Sequence, residues 1–484
     1  MGHETSSPSP SLSFDRGGER SVGWKRIHRW QEAYRTVFFQ IVMVGFVSLT
    51  QPGIWTAINN LGAAGQAKPY LINAANALTY GIMSFGCALA GGVCNKIGVK
   101  WTLVIGVAFY TPYASSLYCN NRFGNEWYVL LGAALCGIGA SMFWASEGAI
   151  AVGYPSERER GRMVATWMGI RNLGPLIGGA ISLSLNTKGT KAGKVSYSTF
   201  LALIGIQCLG FPVALLLSSP EKVVRGDGSK VPNIKNGGKV DGRRTTIKDE
   251  LKGIWETIKS RRMILLMPIF ICGMWGVTYQ SNYLAKYFTV RARALASLLT
   301  AVANLLANIS IGLAMDLKWL NQAQRAKVIW TFFAIAVTGL WIWQTITEVH
   351  FHRNPTPVDW NDGARFGNAF AVYLLWKFVY EAQQGFLYWL VGTMPHREGT
   401  ITRSMGVLRS FESIGSTFAY VVGATHWVNL NQCILSFSLW LTCLVPATLA
   451  VRTVPDHEVR LGEEEEEEEG GSLSDGGESD KPKF

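Results

Sequence analysis

Charge is scarce in this chain. Only 16% of its 484 residues are Asp, Glu, Lys or Arg, against 48% hydrophobic residues, a balance too apolar for a water-soluble protein of this size. Histidine occurs 7 times, and the 8 cysteines show no CxxC pair or Cys/His ligand spacing, so neither a disulfide framework nor a metal site is expected. Cys87, Cys94, Cys136, Cys208, Cys272, Cys433 and Cys443 instead fall in or beside apolar runs, where cysteine packs as a small hydrophobe. HExxH, the G-x-S-x-G elbow, the dinucleotide turn and the Walker phosphate loop are all missing, and the superficially similar GTKAGKV (189–195) lacks the required spacing. These absences argue against an enzyme and against ATP as an energy source, and predict no cofactor. No signal peptide is expected: residues 1–35 are polar, and the first apolar run is expected to insert as a signal anchor.

What the chain has in abundance is long hydrophobic runs, each able to cross a hydrocarbon core of ~30 Å. They are read at 36–55, 75–95, 101–118, 127–151, 163–185, 198–217, 264–285, 294–314, 326–347, 366–391, 405–424 and 432–451. The predicted fold class is an all-α membrane protein of twelve transmembrane helices. Assigning alternate loops to one side puts about 30 Lys and Arg there against about 10 opposite, which places both termini in the cytoplasm. The net charge of +12 is thus a topology signal, and no basic patch with interleaved aromatics suggests nucleic-acid binding.

Polar segments divide the chain. Residues 1–35 form an N-terminal tail in which Trp24, Ile27, Trp30 and Tyr34 share one face of an expected interfacial helix. Residues 36–217 make a six-helix half, and 264–451 make another. Between them, 218–263 is a linker in which Thr246 and Asp249 form a capping box before an apolar stripe of Ile247, Leu251, Ile254, Trp255 and Ile258. Residues 452–484, with the run Glu463–Glu469, read as a solvated disordered tail.

Ionisable residues inside the apolar runs carry the functional signal. A charge at bilayer depth costs at least ~2.5 kcal/mol, so it tends to be paired or to face a watery cavity. Glu147 lies in the fourth run, Arg171 in the fifth, Lys377 and Glu381 in the tenth, and Arg409 and Glu412 in the eleventh. The spacings of Lys377/Glu381 and Arg409/Glu412 allow an ion pair on one helix face, and Glu147 and Arg171 are close enough in sequence to pair between consecutive helices. Packing or snorkelling explains such residues nearly as well. The aromatic set Trp144, Trp167, Trp275, Tyr279, Tyr283, Trp376, Tyr380 and Trp389 is a candidate pocket lining, as are Asn59, Asn60, Asn73 and Asn76. In GPLIGG, Pro175 removes a helix hydrogen bond while Gly174, Gly178 and Gly179 permit close helix approach.

The halves resemble one another. At an offset of 241 residues, GRMVATWMGIRNLG (161–174) overlays TRSMGVLRSFESIG (402–415), matching Arg171 with Glu412 and Gly174 with Gly415. Weak internal symmetry of this kind is found in transporters built from parallel repeats, with the substrate site at mid-membrane between halves.

GGVCNKIGVK (91–100) and GLAMD (312–316) resemble the G-x-x-x-D-R-x-G-R-K loop of the major facilitator superfamily. Asn95 stands where that loop has its acid and Lys96 where it has the first Arg, whereas Gly98 is kept, and Asp316 keeps the acid in the second copy. The resemblance implies a gating role for these four residues, and GPLIGG is similar to a motif associated with exchangers. IWTAINNLGAAGQ (54–66), FWASEGAIAVGYPSE (143–157), SNYLAKYFTVRARAL (281–295) and FVYEAQQGFLYWLVG (378–392) together resemble the fungal branch of the UNC-93-like proteins within that superfamily. The likeness spans about residues 35–450, with a glycine-poorer NNLGAAGQ and with Glu147 and Glu381 in place of the Gln and Asp expected. It implies a twelve-helix transporter fold and says much less about substrate; the sequence as a whole leaves two functional expectations. One is a secondary transporter exporting a small organic compound with proton coupling, monomeric, touching lipid and substrate, in the plasma membrane or an internal one. The other is a non-transporting regulator or escort of another membrane protein.

Overall fold

The computed structural model describes residues 33–456 except 67, 227, 232–238, 241–242, 245–246, 316, 318, 394–399 and 426. The interfacial stripe at Trp24, Ile27 and Trp30, the Thr246 cap, Asp316 and the acidic tail lie outside them. Helix α1 (Val37–Ser48) passes through a π-helical turn at Leu49–Gly53 into α2 (Ile54–Asn59). Pro52, within that turn, cannot donate to Ser48, which is why the regular helix stops there. There follow α3 (Pro69–Ile97), α4 (Val99–Ala108), α5 (Tyr110–Phe123), α6 (Trp127–Gly153), α7 (Glu157–Asn186) and α8 (Tyr197–Leu215). The expected third helix at 101–118 is two helices, because Pro112 lacks the donor that would continue the ladder through Ala108. After a two-residue antiparallel ladder (Lys239–Val240 with Arg243–Arg244) and α9 (Ile247–Lys259) come α10 (Arg261–Tyr287), α11 (Val290–Met315) and α12 (Gln322–Arg353). The second half closes with α13 (Ala364–Gly392), α14 (Thr400–Gly423) and α15 (Asn429–Arg452).

Among the described residues, seven helical stretches are long and apolar enough to cross a membrane: α1–α2, α6, α8, α10, α11, α12 and α15. Helix α3 carries Asn73 and Asn76, α7 carries Arg171, α13 carries Lys377 and Glu381, and α14 carries Arg409 and Glu412. Outward surfaces present Phe38, Leu131, Leu209, Ile335, Ile346 and Val445, all exposed, as a lipid-facing rim would.

Buried apolar residues fall into two clusters. One runs from Val37 to Val231 and takes in Ala285, Val290 and Ala294; the other runs from Met263 to Val454. Between the halves α3 packs on α14 and α7 on α11. Helix α9 rests on α10 and α14, with Ile254 and Ile258 against the second cluster. Trp255, expected in the same stripe, is exposed, with the Lys259 ammonium 5.0 Å from its ring.

Candidate functional site

A central cavity with about 910 Å³ of free space is lined by Trp55, Tyr80, Trp144, Arg171, Arg409 and Glu412, among others. The charged residues come from α7 and α14, and Trp144 comes from α6, so both halves contribute. A neighbouring space of about 720 Å³ shares Trp55, Thr56, Tyr80 and Met274 with it and adds Asn59, Asn60, Asn304, Lys377, Tyr380 and Glu381. Tyr80 and Tyr420 stack across the halves at 5.7 Å between ring centroids.

Trp144 organises the larger cavity. The guanidinium groups of Arg171 and Arg409 lie 4.7 and 5.2 Å from its ring centroid, an arrangement worth ~0.5–2 kcal/mol per cation depending on solvation. Arg409 reaches Glu412 at 3.1 Å, as the spacing suggests. The Tyr388 hydroxyl donates to both Glu412 oxygens at 3.1 Å. The Arg409 side chain keeps 49% of its surface open, whereas that of Glu412 keeps 9%.

The other two pairings do not form. Glu147 is fully buried. Its Oε1 accepts from the Ser48 hydroxyl and, at 2.7 Å, from the Trp167 indole, while Oε2 has no hydrogen-bond partner. Among the described residues Arg171 makes no ion pair, and its one hydrogen bond is to Met168 Sδ at 3.8 Å. Ser48 sits where α1 gives way to the π turn, close enough to intercept Glu147 before it reaches the next helix. Lys377 lies 5.9 Å from the Tyr373 ring, and Glu381 accepts from Asn308 Nδ2 at 3.2 Å. Lys377 thus stays with an aromatic ring of its own helix and Glu381 turns to a neighbouring helix, in place of an intrahelical pair whose stabilisation is only ~0.2–0.5 kcal/mol.

Tyr279 is not in either cavity. It is 1% exposed within the second cluster, donating to Glu348 at 2.7 Å. Tyr287 donates to the other Glu348 oxygen at 2.8 Å. Tyr283 and Trp376 also belong to that core. Glu348 escaped sequence analysis because it falls just past the expected end of its helix. Of the asparagines, Asn73 donates to Asn282 and to the Gly423 carbonyl at 2.8 Å each, and Asn76 donates to Asn59. Trp55, Tyr80 and Tyr420 were not singled out, since nothing in their spacing separates them from packing aromatics.

The glycine motif makes close backbone contacts. A Cβ on Gly174 would lie 2.4 Å from the Leu49 carbonyl, one on Gly178 2.5 Å from Ala57, and one on Gly179 2.7 Å from Leu298 Cα. Pro175 is inside α7. On the proposed gating loops, Lys96 is exposed in the last turn of α3, and Gly98 takes φ 88° between α3 and α4. Asn95 lies in α3, and nothing further is described of it.

Hydrogen bonds tie the halves together at one end of the bundle. Arg293, fully buried at the start of α11, donates to the carbonyls of Leu61, Gly62, Gln66 and Gly193 at 2.6–3.1 Å. Backbone bonds join Val290 to Lys191 and Arg291 to Gly189, and Ser281 accepts from the Ala63 amide at 2.9 Å. Among the described residues every hydrogen bond between the halves lies toward this end. Just outside, Asp359 pairs with Arg291 and accepts from Thr289. The Arg291 guanidinium holds its carboxyl down at about 2.

Two helical cores around a cavity that holds buried charge form the fold of major facilitator superfamily transporters. A D-xylose–proton symporter matches it at TM-score 0.58 and 14% identity over 86% of this chain and 98% of its own. A POT family transporter solved with 5-aminolevulinic acid matches at 0.59 and 13%, over 86% and 96%. Residues 69–315 fit the sequence profile of the family described as "UNC-93: Ion channel regulatory protein UNC-93". The chain belongs to that family and is a multi-pass membrane protein. Among its relatives is the notoamide biosynthesis cluster protein O' of Aspergillus versicolor, 34% identical over 87% of this chain and 90% of the relative. Another is UNC93-like protein 1 of Arabidopsis thaliana, 27% identical over 87% and 91%.

Proposed function

We propose that this chain is a secondary active transporter that exports a small organic compound by alternating access. The observation that carries the reading is the central cavity, with Trp144, Arg171, Arg409 and Glu412 drawn from both halves. In this reading twelve rods cross the membrane: α1 with α2, α4 with α5, and each other long helix alone. Both termini are cytoplasmic, and the Arg293 end is on the opposite side. Residues 36–217 rock against 264–451, with 218–263 as the connecting linker. Exposure of the cavity then alternates between the two sides.

Coupling to protons is assigned to Glu147. Its carboxylate is dry and has one oxygen unpartnered, so a rearrangement of α1 against α6 would alter its affinity for a proton. The fold shared with a proton symporter supports this. A secondary metabolite is the favoured cargo, given a relative named for a biosynthesis cluster. The protein acts as a monomer in the plasma membrane. Purified chain in proteoliposomes tests the reading: an imposed pH gradient should drive flux, and Glu147→Gln should abolish the gradient's effect. The family's printed description favours a second reading, a regulatory partner of another membrane protein. Absence of flux with every candidate compound, together with co-purification of a channel, would decide for it.

A further inference from the structure

The polar groups left over in the two connected cavities are mostly donors. Among the described residues Arg171 has no carboxylate at ion-pair distance, and neither has Lys377; their contacts are Met168 Sδ and the Trp144 ring for the first and the Tyr373 ring for the second. The Trp55 indole N–H and the Asn60 amide nitrogen are buried without acceptors, set against one unpartnered acceptor, Asn304 Oδ1. The carboxylates in and beside the cavities already have partners. Glu412 is held by Arg409 and Tyr388, Glu381 takes a hydrogen bond from Asn308, and Glu147 is sealed behind Ser48 and Trp167. Burying a donor without an acceptor costs ~1–3 kcal/mol, so a ligand that supplies acceptors gains most here. Around these donors stand flat rings: Trp144, Trp55 and the stacked Tyr80 and Tyr420.

We infer that the cavity takes a planar aromatic carboxylic acid in its anionic form. The carboxylate lies on Arg171, where a guanidinium fork offers paired donors. The ring lies against Trp144 and Tyr80, and a carbonyl or similar acceptor at the far end meets Trp55 and Asn60. A cationic ligand would instead face Arg171, Arg409 and Lys377 with little open carboxylate to receive it. The inference rests on the transport reading only in using the same cavity.

Calorimetry on the full chain in lipid nanodiscs, with indole-3-acetate, indole-3-acetamide and tryptamine as probes, varies charge on one ring. The acid should bind about tenfold or more tightly than either other probe. Arg171→Gln should bring it to the level of the amide, and Arg171→Lys should restore part of the difference, with melting curves checking the fold. If Arg171→Gln does not fold, the ranking on the unaltered chain decides alone. Equal or tighter binding of tryptamine or the amide, an unchanged affinity in folded Arg171→Gln, or no binding of any probe would overturn the inference. Acid binding without flux in proteoliposomes would leave it standing and remove the transport reading. Preferential flux of tryptamine would do the reverse.

Discussion

Ala63 and Ala64 hold φ angles of 41° and 45°, a left-handed conformation that costs a Cβ-bearing residue ~1–2 kcal/mol. Gly62 and Gly65 flank them with φ of 70° and 74°, and the turn so formed aims the Leu61, Gly62 and Gln66 carbonyls at Arg293. Ala64→Gly should therefore stabilise the fold by about 0.5–1 kcal/mol, the strain relief less the added freedom of the unfolded chain; thermal melts in detergent check this. Asp359 gives a prediction in pH. Its folded value near 2 lies below the ordinary carboxylate, so its pair with Arg291 stabilises fully above ~4 and loses that contribution as pH falls toward 2. Asp359→Asn should lower the melting temperature at pH 7, and the difference from the parent should stay constant from pH 5 to 8. A deficit that varied over that range would mean another group is responsible.

Helix contact is set by small residues at the same place in each half. Gly174 meets the Leu49 carbonyl of the first rod, and Gly415, its counterpart by sequence overlay, would put a Cβ 1.8 Å from the Ile271 carbonyl of α10. Gly174→Ala should destabilise by ~1–3 kcal/mol through overpacking. Gly148→Ala, where an added Cβ meets nothing within 4 Å, should be neutral or mildly stabilising, and denaturation of both variants compares them. The bonding at the Arg293 end is the second device at this scale. Arg293→Ala removes four charge-assisted bonds, at ~1.5–3 kcal/mol each before compensation, and leaves the halves joined there by backbone bonds and by neutral side-chain bonds from Ser281, Asn73 and Ser297. Spin labels at Lys68 and Thr356 should then report a broader, longer distance distribution than in the parent; an unchanged one would show that Arg293 serves stability alone.

For the molecule as a whole, the helices were legible because hydrophobic length is a local property. Their ends were less so: α3 starts at Pro69 and α12 runs to Arg353, beyond the apolar windows at 75–95 and 326–347, because helical hydrogen bonding continues into the polar zone after hydropathy has fallen. The candidate site was legible in part. Cost alone marked Glu147, Arg171, Arg409 and Glu412, yet only the Arg409–Glu412 pair follows from spacing along one helix. Arg293 was passed over because an arginine near a helix start looks like a solvated charge. Its acceptors come from two loops of the other half. Tyr279 was misplaced for a related reason: its partner Glu348 is 69 residues away.

The sequence by itself determined that this is a helical membrane protein, where its buried charges fall, and which glycines permit close approach, because the cost of polar groups in hydrocarbon and the size of a side chain do not depend on the fold. Tertiary structure decided which charges pair, which stay open to the cavity, and at which end the halves are bonded together. Those outcomes depend on which distant groups arrive within hydrogen-bond distance, and a single helix carries no record of its neighbours.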